Sequence, residues 1–233
     1  MKIRTFLTKE QMQKVDDLAV LRGMKILQMM ENAGYQIASL IRKKYSPRNV
    51  LVLAGKGNNG GDALVVGRRL ADWGFNVRFI FAESPVRFKN ESKHQIAILQ
   101  SMRADMKFFD TGKNKPDFDW ANIIVDGLLG YNVKGDPKLG YKELIELANS
   151  SGKDIIAIDA PSGLNVTTGE PYEPCIKAKY TVTLALPKIG LARNKQVGDL
   201  FLADIGVPSR VYQELGLNIN DIFQKASLIE IKT

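Results

Sequence analysis

Six short runs of Val, Ile, Leu, Phe and Ala punctuate this chain, at 50–54, 77–82, 122–126, 155–159, 180–186 and 200–204. Runs this apolar are buried on both faces, the condition of strands inside a parallel sheet that helices cover on either side. Helical patterns at 63–73, 89–103 and 138–150 fill the earlier gaps. Alternating strand and helix reads as an α/β fold with a mostly parallel sheet. Ahead of the first run, Thr8-Lys9-Glu10-Gln11 has the form of a capping box opening a helix that ends at Gly23. A second helix over 26–44 carries Met29, Met30, Ala33, Ile37, Leu40 and Ile41 on one face, and Pro47 closes it. No repeat, low-complexity tract or change of composition marks a linker, so residues 1–233 read as one domain.

Composition excludes several kinds of chemistry. With 45% apolar residues a full core is available without disulfides. There is no apolar stretch long enough to span a membrane, and the opening Met1-Lys2-Ile3-Arg4-Thr5 leads into a polar helix rather than a secretory signal. Cys175 is alone, which fits a reducing cytoplasm. His94 is the single histidine, so conventional zinc sites and histidine-dependent triads cannot be assembled within one chain. Acid–base work therefore falls to carboxylates, lysines, tyrosines or bound ions. The 33 Lys and Arg exceed the 25 Asp and Glu by 8. These cations are spread along the chain without the aromatic-rich basic strand that base stacking needs, so no specific nucleic-acid partner is expected.

Ligands of open parallel sheets bind outside the carboxyl ends of the strands, and four unusual segments fall there. Gly55-Lys56-Gly57-Asn58-Asn59-Gly60-Gly61-Asp62 follows the first strand, and Asp126-Gly127 ends the third. Asp159-Ala160-Pro161-Ser162-Gly163 ends the fourth, and Pro187-Lys188 follows the fifth. Gly55, Gly57 and Gly60 match G-x-G-x-x-G, with Glu83 where a ribose-binding acid would stand, the pattern of a nicotinamide oxidoreductase. Asp62 argues against that pose: at a helix start its carboxylate occupies the amides a pyrophosphate wants. A plain helix cap is its structural alternative. Strand-end aspartates such as Asp126 and Asp159 are also common turn formers, although Pro161-Ser162-Gly163 would fix Asp159 over the site. Side-chain oxygens of Asn59, Asp126 and Ser162 suit a hard cation, and with one charge among them a monovalent ion better than magnesium.

The first three of these segments, within 54–64, 125–130 and 158–164, together with Met30-Glu31-Asn32-Ala33-Gly34 and Ala203-Asp204-Ile205-Gly206-Val207-Pro208, resemble the NAD(P)H-hydrate epimerases, the YjeF N-terminal family, over nearly the whole chain. The resemblance implies a Rossmann-like three-layer α/β/α sandwich, often a homodimer, that interconverts the R and S epimers at C6 of hydrated NADH or NADPH. It implies substrate contacts at Asn58, Asn59, Gly60, Gly61 and Asp62, and at Gly130, Tyr131, Asn132, Val133, Lys134, Gly135 and Asp136. It further implies potassium at Asn59, Asp126 and Ser162, and Asp159 at the reacting centre, also touching substrate. A neutral Asp159, its pKa raised by partial burial, would protonate the C6 hydroxyl, and ring opening at C6 is the other route to the same product. The dehydratase fused to many relatives is expected as a separate protein. Three positions depart from the family pattern: Ala63 replaces a usual Gly, Asn165 replaces an Asp, and the 131–136 loop has its own composition. The alternative function is a non-catalytic nucleotide- or RNA-associated scaffold of the same fold, which has no use for Asp62, Asp126 and Asp159 together.

Overall fold

A computed structural model describes residues 5–113, 116–217, 219 and 222–232; the expectation for the first four residues lies outside them. Helices α1 (Lys9–Leu21) and α2 (Ile26–Lys44) precede β1 (Asn49–Ala54), α3 (Asn58–Asp72), β2 (Asn76–Phe81), α4 (Asn90–Ser101) and β3 (Asp105–Phe108). Then follow β4 (Ile123–Gly127), α5 (Gly140–Ser150), β5 (Asp154–Ile158), β6 (Tyr180–Leu184), β7 (Asp199–Ala203), α6 (Ser209–Glu214) and β8 (Leu228–Ile231). The strands form one sheet in the order β3-β2-β1-β4-β5-β6-β7-β8, parallel except for β8. Among the described residues no helix is long and apolar enough to cross a membrane.

The two-sided burial expected of the apolar runs is visible in β1. Val50, Val52 and Ala54 pack with Ile37, Leu64 and Leu70 of α2 and α3, whereas Leu51 and Leu53 face Leu144, Ile145 and Ala148 of α5. Side chains two apart in a strand share a face, so one run feeds both cores. A third apolar cluster joins α1 and α6 to Leu200 and Leu202 of β7.

Thr8 makes the expected capping box: its hydroxyl accepts from Gln11 N at 3.2 Å while Gln11 Oε1 accepts from Thr8 N at 2.8 Å. Gly23, at φ 97°, follows the last turn in the left-handed conformation that glycine tolerates best. Strands β3 and β8 and helix α6 were not expected. β3 and β8 are the sheet's two edges, where Asp105, Lys107 and Glu230 interrupt the apolar pattern as edge strands require.

Candidate active site

The chain leaves β1 toward β2 and β3, then returns through β4 to build the other half of the sheet. The crevice between the ends of β1 and β4 is thus the topological switch point, where ligands of such sheets bind. Glycines let the backbone close up there. Gly55 N donates to Gly127 O at 3.1 Å. A β-carbon on Gly60 would lie 1.8 Å from Gly55 O, and one on Gly55 would lie 1.9 Å from Leu128 O. This nesting allows α3 to start at Asn58, five residues earlier than the sequence pattern predicts, with Gly57 as an N-cap that offers no side-chain bond. Asp62 is therefore in the second turn and caps nothing. Contrary to the sequence expectation, its carboxylate does not occupy the amides of the helix start, and the first turn of α3 is free to meet an anion.

A cleft of about 620 Å³ opens at this point. Its wall includes Asn58, Asn59, Asp62, Gly130, Tyr131, Asn132, Val133 and Asp159 from the expected set. Gly60 and Gly61 are buried behind the wall, Gly61 against Met30 and Ser92. Lys134, Gly135 and Asp136 lie on the exposed outer part of their loop, where Asp136 accepts from Glu173 N at 3.0 Å. Asp16 and Lys188 also line the cleft; Lys188 belongs to the Pro187-Lys188 segment expected at this sheet edge, whereas no motif points to Asp16.

Asp159 stands one residue past β5 with φ 65°, a strained conformation for a residue with a β-carbon. Its amide donates to Val182 O at 2.8 Å, which holds it there. All described bonds to its carboxylate converge on Oδ1: the Lys188 ammonium, Leu184 N at 3.2 Å and the Thr183 hydroxyl at 3.4 Å. Lys188 is 1% exposed, and its remaining donors go to Thr183 Oγ1 at 3.2 Å and Leu184 O at 3.0 Å. A lysine with three donors committed this way is an ammonium, and its partner is a carboxylate. The neutral Asp159 expected from the sequence gives way to a buried ion pair with Oδ2 left for the cleft. Lys188 was the overlooked residue, and its position at the same sheet edge was the available signal.

Two further acids of the cleft, Asp16 and Asp62, differ. Burial raises Asp16 above the usual carboxylate range, while the Tyr131 hydroxyl donates to it at 2.7 Å and opposes the rise. That bond ties the loop after β4 to α1, and Tyr131 places its ring 5.6 Å from the Lys188 ammonium. Asp62 is 7% exposed, and its carboxyl has no hydrogen bond or ion pair among the described residues. Burial, aided by the negative charges of Asp159 and Asp16, holds it well above the usual range. Glu83, the ribose acid of the oxidoreductase reading, is committed to Lys56 at 2.9 Å, Tyr141 at 3.0 Å and Arg87 at 3.2 Å. His94 is exposed on α4, and burial pushes the Cys175 thiol up to about 12.

Behind the cleft wall lies the expected cation set. Asp126 is fully buried and accepts from the Ser162 hydroxyl at 2.6 Å, Ser162 N at 2.8 Å and Leu128 N at 3.2 Å. Burial outweighs these bonds and moves its carboxyl up to about 6, and no cationic side chain pairs with it among the described residues. The Leu129 carbonyl accepts from Asn59 Nδ2 at 3.1 Å and Leu129 N donates to the Ser162 hydroxyl at 2.8 Å, which draws all three side chains to one locus. Carboxylate, hydroxyl, amide and carbonyl oxygens with one uncompensated charge fit a monovalent hard cation. Among the described residues no three His, Cys, Asp or Glu side chains are grouped as a metal site.

Two of the sequence departures have structural compensation. Ala63 fits because Gly127 faces it; a β-carbon on Gly127 would lie 2.4 Å from that of Ala63. Asn165 Oδ1 accepts from Thr167 N at 3.0 Å and Thr168 N at 3.2 Å, bonds an aspartate would make equally.

Residues 26–190 match the family described as YjeF-related protein N-terminus. An NAD(P)H-hydrate epimerase of Dehalogenimonas lykanthroporepellens is 34% identical over 91% of this chain and 86% of its own length. One of Cenarchaeum symbiosum is 38% identical over 77% of this chain and 85% of its own. A bifunctional NAD(P)H-hydrate repair enzyme of Moorella thermoacetica is 33% identical over 78% of this chain, which spans only 37% of that longer relative. The crystal structure of the yeast protein ynu0 superposes with a TM-score of 0.84 at 21% identity, covering 97% of this chain and all of that one. That likeness is one of fold.

Proposed function

We infer, from the YjeF-related N-terminal family to which this chain belongs, that the protein is an NAD(P)H-hydrate epimerase. The observation that carries the reading is the content of one cleft: the uncapped amide end of α3 lies in the same cavity as the buried Asp159–Lys188 pair. Amides at a helix start suit the anionic phosphates of a dinucleotide, and Lys56 and Lys89 line the cleft alongside. The acid–base pair suits proton transfer at C6 of the reduced ring. Asn58, Asn59 and Asp62 on one side and Gly130 to Val133 on the other hold the hydrated dinucleotide between them, and Asp159 Oδ2 works at the reacting carbon. The loss of either separated epimer to the equilibrium R/S mixture, followed by NMR, tests this; relaxation at the spontaneous rate overturns it.

The reading includes a homodimer in a reducing cytoplasm, where Cys175 stays a thiol, and a dehydratase that consumes the S epimer. It also includes potassium held by Asn59, Asp126 and Ser162. Bound there, the ion supplies the positive charge that the buried Asp126 carboxylate lacks, and it fixes the Leu128–Leu129 backbone of the cleft wall. Potassium is expected to raise the melting temperature above that in equal lithium. An ion at a hundred times its Kd adds about 2.7 kcal/mol, and about 2–4 °C per kcal/mol is usual at this size. Asp126→Asn should erase the difference. Superimposable melting curves in the two salts remove the ion from the reading.

A further inference from the structure

Resting on the epimerase reading, we propose that the cleft divides proton transfer between two carboxyl groups: Asp62 is the acid, and Asp159, anchored by Lys188, is the base. Inversion at C6 through a planar ion sets the requirement. The C6–O bond breaks, the N1 lone pair becomes the second bond of a C6=N1 iminium, and the departing hydroxyl must receive a proton to leave as water. A second water then attacks C6 from the opposite face, the C6=N1 pair returns to N1, and the incoming water must lose a proton. One carboxyl group would have to serve both faces of the ring. Two groups of opposite state serve one each.

The structure holds two such groups. Asp159 has Oδ1 saturated by Lys188, Leu184 N and Thr183, so it meets the ligand as a carboxylate with Oδ2 available. Asp62 is buried in the same cleft with no donor and no cation on its carboxyl among the described residues. A buried carboxylate with no partner is costly enough that the neutral acid is the form expected. Asp62 also has no structural duty that explains an acid there, because it neither caps α3 nor braces a neighbour. Of the other acids in the cleft, Asp16 already has the Tyr131 hydroxyl on it and Asp17 accepts from Gln13 Nε2. Enzymes that run acid and base chemistry in one site show this divergence of environments. After one turnover Asp62 is the carboxylate and Asp159 carries the proton. That form performs the reverse inversion with the roles exchanged, or it resets through water in the open cleft.

The test compares wild type with Asp62→Asn on a separated epimer. Asn keeps the shape and removes the proton. The charges that act on Asp62 are those of Asp159 at the sheet edge and Asp16 on α1, and Asp17, Lys56, Lys89, Tyr131 and Lys188 line the same cleft. A donor must be protonated, so wild-type kcat should fall as pH rises through the raised Asp62 pKa, and that limb should vanish in the variant. A kcat loss of about 10²-fold or more with KM changed only a few-fold is expected. A raised KM with kcat and its alkaline limb preserved would make Asp62 a binding residue and overturn the division. Should Asp62→Asn fail to fold, carboxyl carbon NMR of the wild type decides: a protonated Asp62 at neutral pH supports the inference, and an ionised one refutes it. Wild type inactive on both epimers would instead defeat the epimerase reading itself.

Discussion

Asp159→Asn is expected to lower kcat for epimerisation by about 10²-fold or more, the usual worth of a positioned acid–base group. The amide keeps the size of the side chain and can still accept from Leu184 N, but it has no basic oxygen for the incoming water. The loss should fall on kcat, because the phosphate end of the cleft, at the start of α3, is untouched. The variant should also be less stable, because Lys188 loses the carboxylate paired with its ammonium. Steady-state kinetics on a separated epimer read the first effect, and near-normal kcat would remove Asp159 from the reacting centre.

Lys188→Met should be the most destabilising single change in the site. Both members of the Lys188–Asp159 pair are almost wholly buried, at 1% and 4% exposed. Removing one partner of such a pair leaves the other charge unsolvated and costs about 3–5 kcal/mol, against a total stability of about 5–15 kcal/mol for a protein domain. Asp16 and Asp62 line the same cleft, so the orphaned Asp159 would stay beside those acids without the Lys188 ammonium. Urea unfolding measures the cost. Replacing both residues, as Asp159→Asn with Lys188→Met, should recover much of that stability while leaving the protein inactive, because a neutral pair needs no compensation but transfers no proton. A double variant no more stable than the single one would show that the loss came from packing rather than charge.

The parts of this molecule legible in the sequence are those encoded locally. Strands inside the sheet announce themselves because each must satisfy two apolar faces, as Val50 to Ala54 do. The edges β3 and β8 are hidden by the charges that keep them from pairing with other chains. The start of α3 was misplaced because Asn-Asn-Gly-Gly is a poor helix former on intrinsic propensity. Tertiary fit overrides that propensity: Gly60 is the residue that can lie on the Gly55 carbonyl, and Gly61 the one that can pass Met30. In the site, Asp126, Asp159 and Ser162 stood out because strand ends of an open sheet share one edge. What joins Lys188 to Asp159, or Tyr131 to Asp16, is contact between residues 29 and 115 positions apart, and nothing in the spacing of a single sequence records it. The ionisation of Asp159 followed the same rule, since it depends on a partner that only the fold supplies.

The central claim is interconversion at C6, and the most direct measurement supplies a mixture of R and S hydrated NADH to an S-specific dehydratase and follows both epimers by chromatography. The dehydratase alone should remove the S fraction and leave the R fraction to decay at its spontaneous rate. With this protein and potassium present, the R fraction should be drawn down along with the S fraction until both are gone. An R fraction that persists at the spontaneous rate beside folded protein would contradict the claim.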